Sequence, residues 1–157
     1  MHPDVEPIAF LIGTWRGEGR GVYPTIATFD YGEEVRFAAM PGKPFLSYQQ
    51  RTWALDDQRP LHAETGYWRP KPGGKVEVVL AHPTGIAEIE EGTVDNGVIA
   101  LAASSIGMAA TAKQVDGLSR RFELVEPGVL RYEVQLAAAA QPLQGHLTAE
   151  LRRVPEG

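Results

Sequence analysis

The 157-residue sequence contains no cysteine. Disulfide bonds, thiolate zinc sites, iron–sulfur clusters, thiolate-ligated haem and covalent haem attachment through Cys-x-x-Cys-His are therefore excluded. Any metal ion must be held by histidine, carboxylate or a few weaker groups. Long apolar runs are missing as well, since no stretch approaches the roughly 18 residues that a membrane-spanning helix needs.

Basic residues are outnumbered by acidic ones, 15 against 20, which gives a net charge of -5. Such a chain would repel a phosphate backbone, so we expect no nucleic-acid partner. The amino end lacks a basic segment followed by a long apolar one, and we expect a cytoplasmic protein with no membrane partner. The length and a hydrophobic content of 43% predict one domain over residues 1–157.

Turn signals recur at the spacing of an antiparallel sandwich or barrel. They fall at residues 23–24, 41–42, 56–57, 70–74, 83–85, 95–97, 116–117, 127–128 and 141–142. About ten strand-like runs lie between them, more than an immunoglobulin-like sandwich needs, and closing the sheet removes its edges. We predict an all-β fold, a single antiparallel up-and-down barrel of about ten strands with a cavity, similar in kind to lipocalins and fatty-acid-binding proteins.

Helical periodicity is weak except near the amino end. Val5, Ile8, Ala9 and Ile12 follow the spacing of one helical face. We therefore predict a short amino-terminal helix that plugs the barrel.

The segment from Gly13 to Pro24 is strand-like and rich in glycine at once. Because successive side chains of a strand point to opposite faces, Gly17, Gly19 and Gly21 leave one face nearly bare. Glycine weakens a strand, so this face predicts either a sharp bend of the barrel or something bulky against the backbone, such as a ligand.

The histidines form no metal-binding motif by their spacing. His2 lies at the amino end, where no role is expected. His146 follows a turn and begins the last predicted strand, at the mouth of the barrel, where it either reaches a ligand or is a hydrogen-bonded rim residue. His62 is open to the same two interpretations, and His82 is interpreted as a structural residue beside a turn.

Paired carboxylates are one source of acid–base catalysis. Glu33 and Glu34 are adjacent and so point to opposite faces of a strand, whereas Glu88 and Glu90 share a face that we expect to be solvated. The sequence has no nucleophile elbow, phosphate-binding loop or dinucleotide-binding glycine run. Hydrolase and kinase chemistry therefore have no support.

A motif of the form GxWxGxG is made by Gly13, Trp15, Gly17 and Gly19. In this motif the chain resembles the nitrobindin family, haem-binding β-barrel proteins described as peroxynitrite isomerases. The resemblance covers nearly the whole chain. It continues through Tyr23-Pro-Thr-Ile26, Tyr31-Gly-Glu-Glu34, Gly42-Lys-Pro-Phe45, Leu61-His-Ala-Glu-Thr-Gly-Tyr67, Leu80-Ala-His-Pro-Thr-Gly85, Thr111-Ala-Lys113 and Pro142-Leu-Gln-Gly-His-Leu147.

The resemblance implies a ten-stranded barrel that holds one b-type haem per chain, non-covalently, at an open mouth. The family's proximal iron ligand is the histidine of a carboxy-terminal Pro-Leu-x-x-His-Leu element, which falls on His146. Thr25 and Lys113 look like haem-contacting positions, and Lys113 could pair with a propionate. His62 is implied on the distal side of the haem without a bond to iron.

The implied function is that of a ferric haem protein with an open distal site, which binds nitric oxide and isomerises peroxynitrite to nitrate. The alternatives are a lipocalin-like carrier of an apolar small molecule, with His146 as a rim residue, and nitric oxide storage or sensing without turnover. We expect small-molecule ligands as partners, and either a monomer or a homodimer.

Overall fold

The computed structural model describes residues 1–156. Over that range a 3₁₀ helix, Pro3–Leu11, precedes ten antiparallel strands that close into a barrel. The strands are β1 (Gly13–Tyr23), β2 (Ile26–Ala39), β3 (Leu46–Ala54), β4 (Pro60–Lys71), β5 (Lys75–His82), β6 (Ile86–Asp95), β7 (Val98–Met108), β8 (Val115–Glu126), β9 (Val129–Ala138) and β10 (Gln144–Arg153). Sequence neighbours pair throughout, and β1 closes the ring by pairing with β10. The predicted up-and-down barrel is confirmed.

Alternation of apolar and polar residues gives each strand an inner and an outer face. In β5, Val76, Val78 and Leu80 point inward and are buried, whereas the residues between them are more exposed. Burying each of these side chains contributes roughly 1.5–3 kcal/mol. A one-residue slip would move the whole set to the solvent, so the register of the strand is well specified.

Aromatic rings from several strands fill the interior as one connected series. The series is formed by Phe37, Tyr48, Trp68, Phe122 and Tyr132, whose neighbouring ring centroids lie 5.1 to 5.8 Å apart. All five residues belong to the buried core. This packing fixes the strands that also carry the polar residues of the interior.

The bare glycine face of β1 is covered by aromatic rings of β2. A Cβ atom at Gly19 would lie 2.4 Å from the Tyr31 ring, and one at Gly21 would lie 2.2 Å from the Phe29 ring. The predicted bulky neighbour is therefore present, and it belongs to the protein itself. A ligand is not needed to explain these glycines.

The helix packs against β4 and β6 and buries Val5, Ile8 and Leu11 completely. These residues are three apart, as expected for a 3₁₀ helix with three residues per turn. The predicted helix is confirmed, but its buried face differs from the expected one, because Ala9 and Ile12 are only half-buried.

Trp15, the aromatic residue of the GxWxGxG motif, joins the helix to β1. Its indole Nε1 donates to the carbonyl oxygen of Leu11 at 2.8 Å. The Arg153 guanidinium lies 4.7 Å from the centroid of its ring on the other side. In this structure Trp15 stabilises the helix-bearing end of the barrel.

The predicted hairpin turn between β6 and β7 is confirmed. Asn96 and Gly97 have φ angles of 48° and 74°, the left-handed values that such a turn requires. The turn predicted at Asp116 and Gly117 is wrong, because both residues lie inside β8 at a shift of register. The chain reverses earlier, between the end of β7 and the start of β8.

The two ends of the barrel differ. The helix leads into the start of β1 and covers one end, while the connections β1–β2, β3–β4, β5–β6, β7–β8 and β9–β10 surround the other. We call this second end the mouth. No helix within residues 1–156 is long and apolar enough to cross a membrane.

Candidate functional site

A cavity of about 900 Å³ occupies the barrel and opens at the mouth. Near the mouth its wall is largely apolar and includes Phe29, Leu118, Leu136 and Leu147. The wall also has a polar part that carries carboxylates, histidines and an arginine. His62 and His82 lie at the mouth ends of β4 and β5, and Arg120 lies further along β8. A ligand of cofactor size would fit this volume.

His146 lies at the mouth, near the start of β10. The pairing of β10 with β9 shifts register between Gly145 and Leu147, so His146 occupies a β-bulge. Bulges redirect a side chain out of the regular alternation. The imidazole of His146 forms part of the cavity wall, as the mouth position predicted from the sequence requires.

A backbone carbonyl fixes the orientation of the His146 ring. Its Nδ1 lies 2.9 Å from the carbonyl oxygen of Val22 on β1. Because a carbonyl oxygen can only accept, Nδ1 carries the proton, and in the neutral ring Nε2 keeps its lone pair. Histidines that bind metal ions usually have this arrangement.

Tyr23 supports the same ring from the side. Its aromatic ring meets that of His146 edge-on, with centroids 5.4 Å apart. The Tyr23 hydroxyl donates to the carbonyl oxygen of Leu136 at 3.0 Å and accepts from the backbone N–H of Ala138 at 2.9 Å. Tyr23 therefore connects the end of β1 with the end of β9 and holds the mouth around His146.

Thr25 and Lys113 lie at the same end of the barrel, in exposed connecting segments. Thr25 is in the turn between β1 and β2, and Lys113 precedes β8. Their chain neighbours Thr28 and Val115 line the cavity. The structure thus brings His62 and His146 into the cavity wall and leaves Thr25 and Lys113 at its rim.

Two histidines lie across the cavity from His146. His62 is on β4 and His82 on β5, four and five strands away from β10 around the barrel. His62 Nε2 lies 3.0 Å from His82 Nδ1, and His82 Nε2 lies 2.7 Å from Glu88 Oε1. The Glu88 carboxylate accepts a hydrogen bond from the Nε2–H of His82, so His82 Nδ1 is unprotonated and accepts a hydrogen bond from His62 Nε2. His82 therefore does more than flank a turn, because its side chain is buried and belongs to this series of hydrogen bonds.

Arg120 on β8 forms the centre of the polar wall. It contacts Glu64 Oε1 at 2.6 Å, Glu88 Oε1 at 2.8 Å and, through Nε, Glu90 Oε2 at 3.0 Å. The last contact lacks hydrogen-bond geometry within the described residues. The side chains of all four residues are at most 8% exposed. Three glutamate side chains therefore surround the Arg120 guanidinium out of contact with bulk water.

The buried glutamates differ in their protonation. Burial alone would raise the pKa of Glu64, but the charge of Arg120 and hydrogen bonds from His62 and Arg120 outweigh it and hold that pKa well below 4.5. Burial raises the pKa of Glu90 to about 8, with the charges of Glu88 and Glu64 adding to the effect and that of Arg120 opposing it. At neutral pH Glu64 is therefore an anion and Glu90 is mostly neutral.

A second buried chain extends from Glu33. The Tyr132 hydroxyl donates to Glu33 Oε1 at 2.6 Å, Gln50 Nε2 donates to Glu33 Oε2 at 2.8 Å, and the Tyr31 and Tyr132 hydroxyls lie 2.6 Å apart. Burial raises the pKa of Glu33 from its ordinary value of 4.5 to about 7, although both hydrogen bonds oppose this shift. Burial and the nearby Glu33 also raise the pKa of both tyrosines, which stay protonated.

The expectation that Glu88 and Glu90 face solvent is wrong, since they are 3% and 0% exposed. They do share a face, as expected, but it is the inner one. The sequence carried a weak signal of this, because the even-numbered residues of β6 continue to the buried Val94. Arg120 lowers the energetic cost of burying both glutamates. It is 30 or more residues away in the sequence, so spacing alone does not reveal the contact.

The residues at the mouth fit a haem group. His146 offers an unprotonated Nε2 in the cavity wall, and the apolar surface near it suits a macrocycle. Arg59, in the β3–β4 connection, also lines the cavity and supplies a cation at the rim, as Lys113 does on the opposite side. Without cysteine, attachment of haem would be non-covalent.

Comparison with known proteins agrees with this fit. The profile of the THAP4-like, heme-binding beta-barrel domain matches residues 4–153. Peroxynitrite isomerase 2 of Mycobacterium ulcerans is 54% identical over 158 residues, which cover 98% of this chain and 96% of the relative. The peroxynitrite isomerase of Nocardia farcinica is 50% identical over 157 residues, covering 98% and 92%.

Among solved structures, the crystal structure of Rv2717c from M. tuberculosis matches with a TM-score of 0.91 at 49% identity, covering 99% of each chain. This agreement extends over the whole barrel and its helix. The chain therefore belongs to the family of THAP4-like, haem-binding β-barrel domains, and the resemblance to the nitrobindins is confirmed.

Proposed function

We propose that this protein is a haem-dependent peroxynitrite isomerase that binds one b-type haem through His146. The observation that carries the proposal is the imidazole of His146, fixed by the Val22 carbonyl so that Nε2 is free in the wall of a cavity large enough for haem. The reaction is inferred from the chain's membership of a haem-binding family and from the names of its relatives.

His146 binds and orients the haem. The Val22 carbonyl oxygen accepts a hydrogen bond from the Nδ1–H of His146. This bond raises the basicity of the ring and fixes which nitrogen faces the cavity. Tyr23 blocks rotation of the ring by its edge-on contact. His146 would therefore bind haem iron without rearranging, which lowers the cost of binding.

Thr25 and Lys113 would contact the exposed edge of a bound haem. Lys113 is exposed, so an ion pair with a propionate contributes roughly 0 to 1 kcal/mol. The apolar wall near Phe29, Leu118 and Leu136 supplies more of the affinity, because it removes the faces of the macrocycle from water.

His62 would line the pocket of a bound haem without binding its iron. Its Nε2 donates to His82, which Glu88 holds in turn. Because His62 is engaged in this way, it would leave a coordination position of the iron free for nitric oxide or peroxynitrite. His62 would then line that position as a neutral ring.

Bound haem supplies a ferric iron that acts as a Lewis acid toward the bound oxyanion. Conversion of peroxynitrite to nitrate moves one oxygen within the ion, with no net gain or loss of atoms or protons. The chain therefore needs no residue that delivers a net proton. The buried carboxylates of Glu64 and Glu88 repel an anion from the depth of the cavity, which keeps the substrate near the mouth.

The polar wall also argues against a carrier of an apolar molecule. Such a ligand would face Glu64, Glu88 and Arg120 without offering them hydrogen bonds, and burying charged groups against apolar surface is costly. Haem at the mouth avoids this contact, because its iron ligand and apolar wall lie nearer to the solvent.

Stopped-flow decay of peroxynitrite tests the proposal directly. We expect the decay rate to rise in proportion to the concentration of haem-loaded ferric protein, with nitrate as the product. The haem-free protein is the first control. His146→Ala mixed with an equal amount of haem is the second, since it reports what haem does without its protein ligand.

An unchanged decay rate with haem-loaded protein would refute isomerase activity. If the same sample still bound nitric oxide reversibly, storage or sensing without turnover would replace it. If purified protein took up no haem at all, the carrier alternative would be favoured.

A further inference from the structure

The far wall of the cavity contains a second cluster of metal-binding atoms. His62 Nε2, His82 Nδ1 and Glu64 Oε2 lie 3.0, 3.4 and 3.5 Å from one another. We propose that these three residues bind a divalent transition-metal ion such as zinc, at a site separate from the haem ligand His146.

The spacing of the three atoms suits such an ion. Zinc bonds to histidine nitrogen and carboxylate oxygen measure about 2.0–2.2 Å in tetrahedral geometry, which places ligand atoms roughly 3.3 Å apart. The observed separations lie on both sides of that value. A cation therefore fits between the three atoms with only small side-chain movements.

The hydrogen bonds around the cluster orient two of its three metal-binding residues. Glu88 accepts a hydrogen bond from the Nε2–H of His82, so His82 Nδ1 has a lone pair directed at the cluster. A carboxylate behind a histidine ligand is the usual second layer of a zinc site. Tyr48 donates to Glu64 Oε1 at 2.7 Å and so fixes the carboxylate through the oxygen that the metal does not need.

Arg120 does not close the site. Its short contact, 2.6 Å, is with Glu64 Oε1, whereas its contact with Oε2 is 3.2 Å. The anionic carboxylates of Glu64 and Glu88 share this one guanidinium, so the buried wall next to the site carries a net negative charge. Attraction between these carboxylates and a dication beside Glu64 Oε2 favours binding.

Binding displaces one proton. In the metal-free chain His62 Nε2 donates to His82 Nδ1, and a metal ion needs both lone pairs. The proton moves by way of solvent to His62 Nδ1, so that the ring stays neutral; solvent reaches it because the His62 side chain is 35% exposed. The same exposure gives the ion a route of entry. Three protein ligands leave a coordination position for water or a small anion from the cavity.

Zinc binding measured on the haem-loaded protein tests this site. The protein is dialysed against zinc, and bound metal is quantified and compared with the rise in the temperature of unfolding. We expect one zinc ion per chain. His62→Ala and His82→Asn should each bind zinc at least about tenfold more weakly than the wild-type protein. His62→Ala removes a partly exposed ring and decides the question if His82→Asn does not fold.

Two further variants separate this site from the rest of the chain. His2→Ala removes an exposed histidine and should leave zinc binding unchanged. His146→Ala should lose haem and keep zinc, so the zinc result does not depend on the proposed isomerase function. No stoichiometric zinc in the wild-type protein, or equal zinc binding by the wild-type, His62→Ala and His2→Ala proteins, would overturn the proposal.

Discussion

His146 Nδ1 and the carbonyl oxygen of Val22 lie 2.9 Å apart, although 124 residues separate them in the sequence. The contact exists because β10 pairs with β1 to close the barrel, and because a bulge turns His146 toward the mouth. Closure of the barrel therefore fixes the orientation and the tautomer of the His146 imidazole. The proposed function depends on this orientation, which is lost if the barrel unfolds.

Close contact between β1 and β10 makes Gly17 intolerant of a side chain. A Cβ atom there would lie 2.0 Å from the backbone carbonyl oxygen of Glu150, which cannot move without disturbing the strand pairing. We expect Gly17→Ala to lower the free energy of unfolding by about 1–3 kcal/mol or more. Urea denaturation followed by circular dichroism measures it.

Gly107→Ala is the matched control for that substitution. Gly107 also lies in a strand, β7, but a Cβ atom there would meet the carbonyl oxygen of Ala87 at an ordinary 3.6 Å. Its effect should stay within about 1 kcal/mol, since nothing must shift. Equal destabilisation by both alanines would contradict the close approach at Gly17.

Arg120 should be the most sensitive member of the polar wall. Arg120→Met leaves the carboxylates of Glu64 and Glu88 buried without their cation, which typically costs about 3–5 kcal/mol. Arg121→Met tests the neighbouring position, where an exposed guanidinium pairs with Glu123 and should contribute about 0–1 kcal/mol. Similar losses in the two variants, measured by chemical denaturation, would show that the buried network does not behave as described.

The raised pKa of Glu33 predicts a particular pH dependence of stability. An unfolded glutamate releases its proton near pH 4.5, whereas buried Glu33 keeps it to about pH 7. Between these values the folded state holds a proton that the unfolded state lacks, so stability falls as pH rises. The change from this group is on the order of 3 kcal/mol.

Glu33→Gln should flatten that decline, and denaturation between pH 4.5 and 8 measures it. Some slope should remain because Glu90 has a pKa of about 8.

Glu34→Gln is the control for this variant. Hydrogen bonds from Arg16 and Arg51 lower the pKa of Glu34 despite some burial, so the contribution of Glu34 to stability is lost only as pH falls. An unflattened decline in Glu33→Gln would contradict the assignment.

The barrel could be predicted because its signals are local. Alternation along β5 and the Asn96-Gly97 turn each depend on a few adjacent residues, and both are present in the structure. The bare face of β1 was also visible, although its cause, the rings of Tyr31 and Phe29, required the pairing of β1 with β2.

The polar wall could not be predicted because its partners meet only when the barrel closes. Glu64, His82 and Glu88 come from consecutive strands, but Arg120 arrives from β8 across the interior. An inward glutamate is costly until that cation is present, so sequence reasoning placed Glu88 in solvent. His146 likewise has no distinctive spacing, and only the family resemblance singled it out.

Haem titration of the wild-type protein and of His146→Ala shows whether His146 is the haem ligand. We expect the wild-type protein to saturate at one haem per chain with the visible spectrum of a histidine-ligated ferric haem. His146→Ala should fold normally, as judged by circular dichroism, and show no stoichiometric uptake, while His2→Ala should match the wild type. An unchanged titration and an unchanged Soret band in folded His146→Ala would rule out His146 as the ligand.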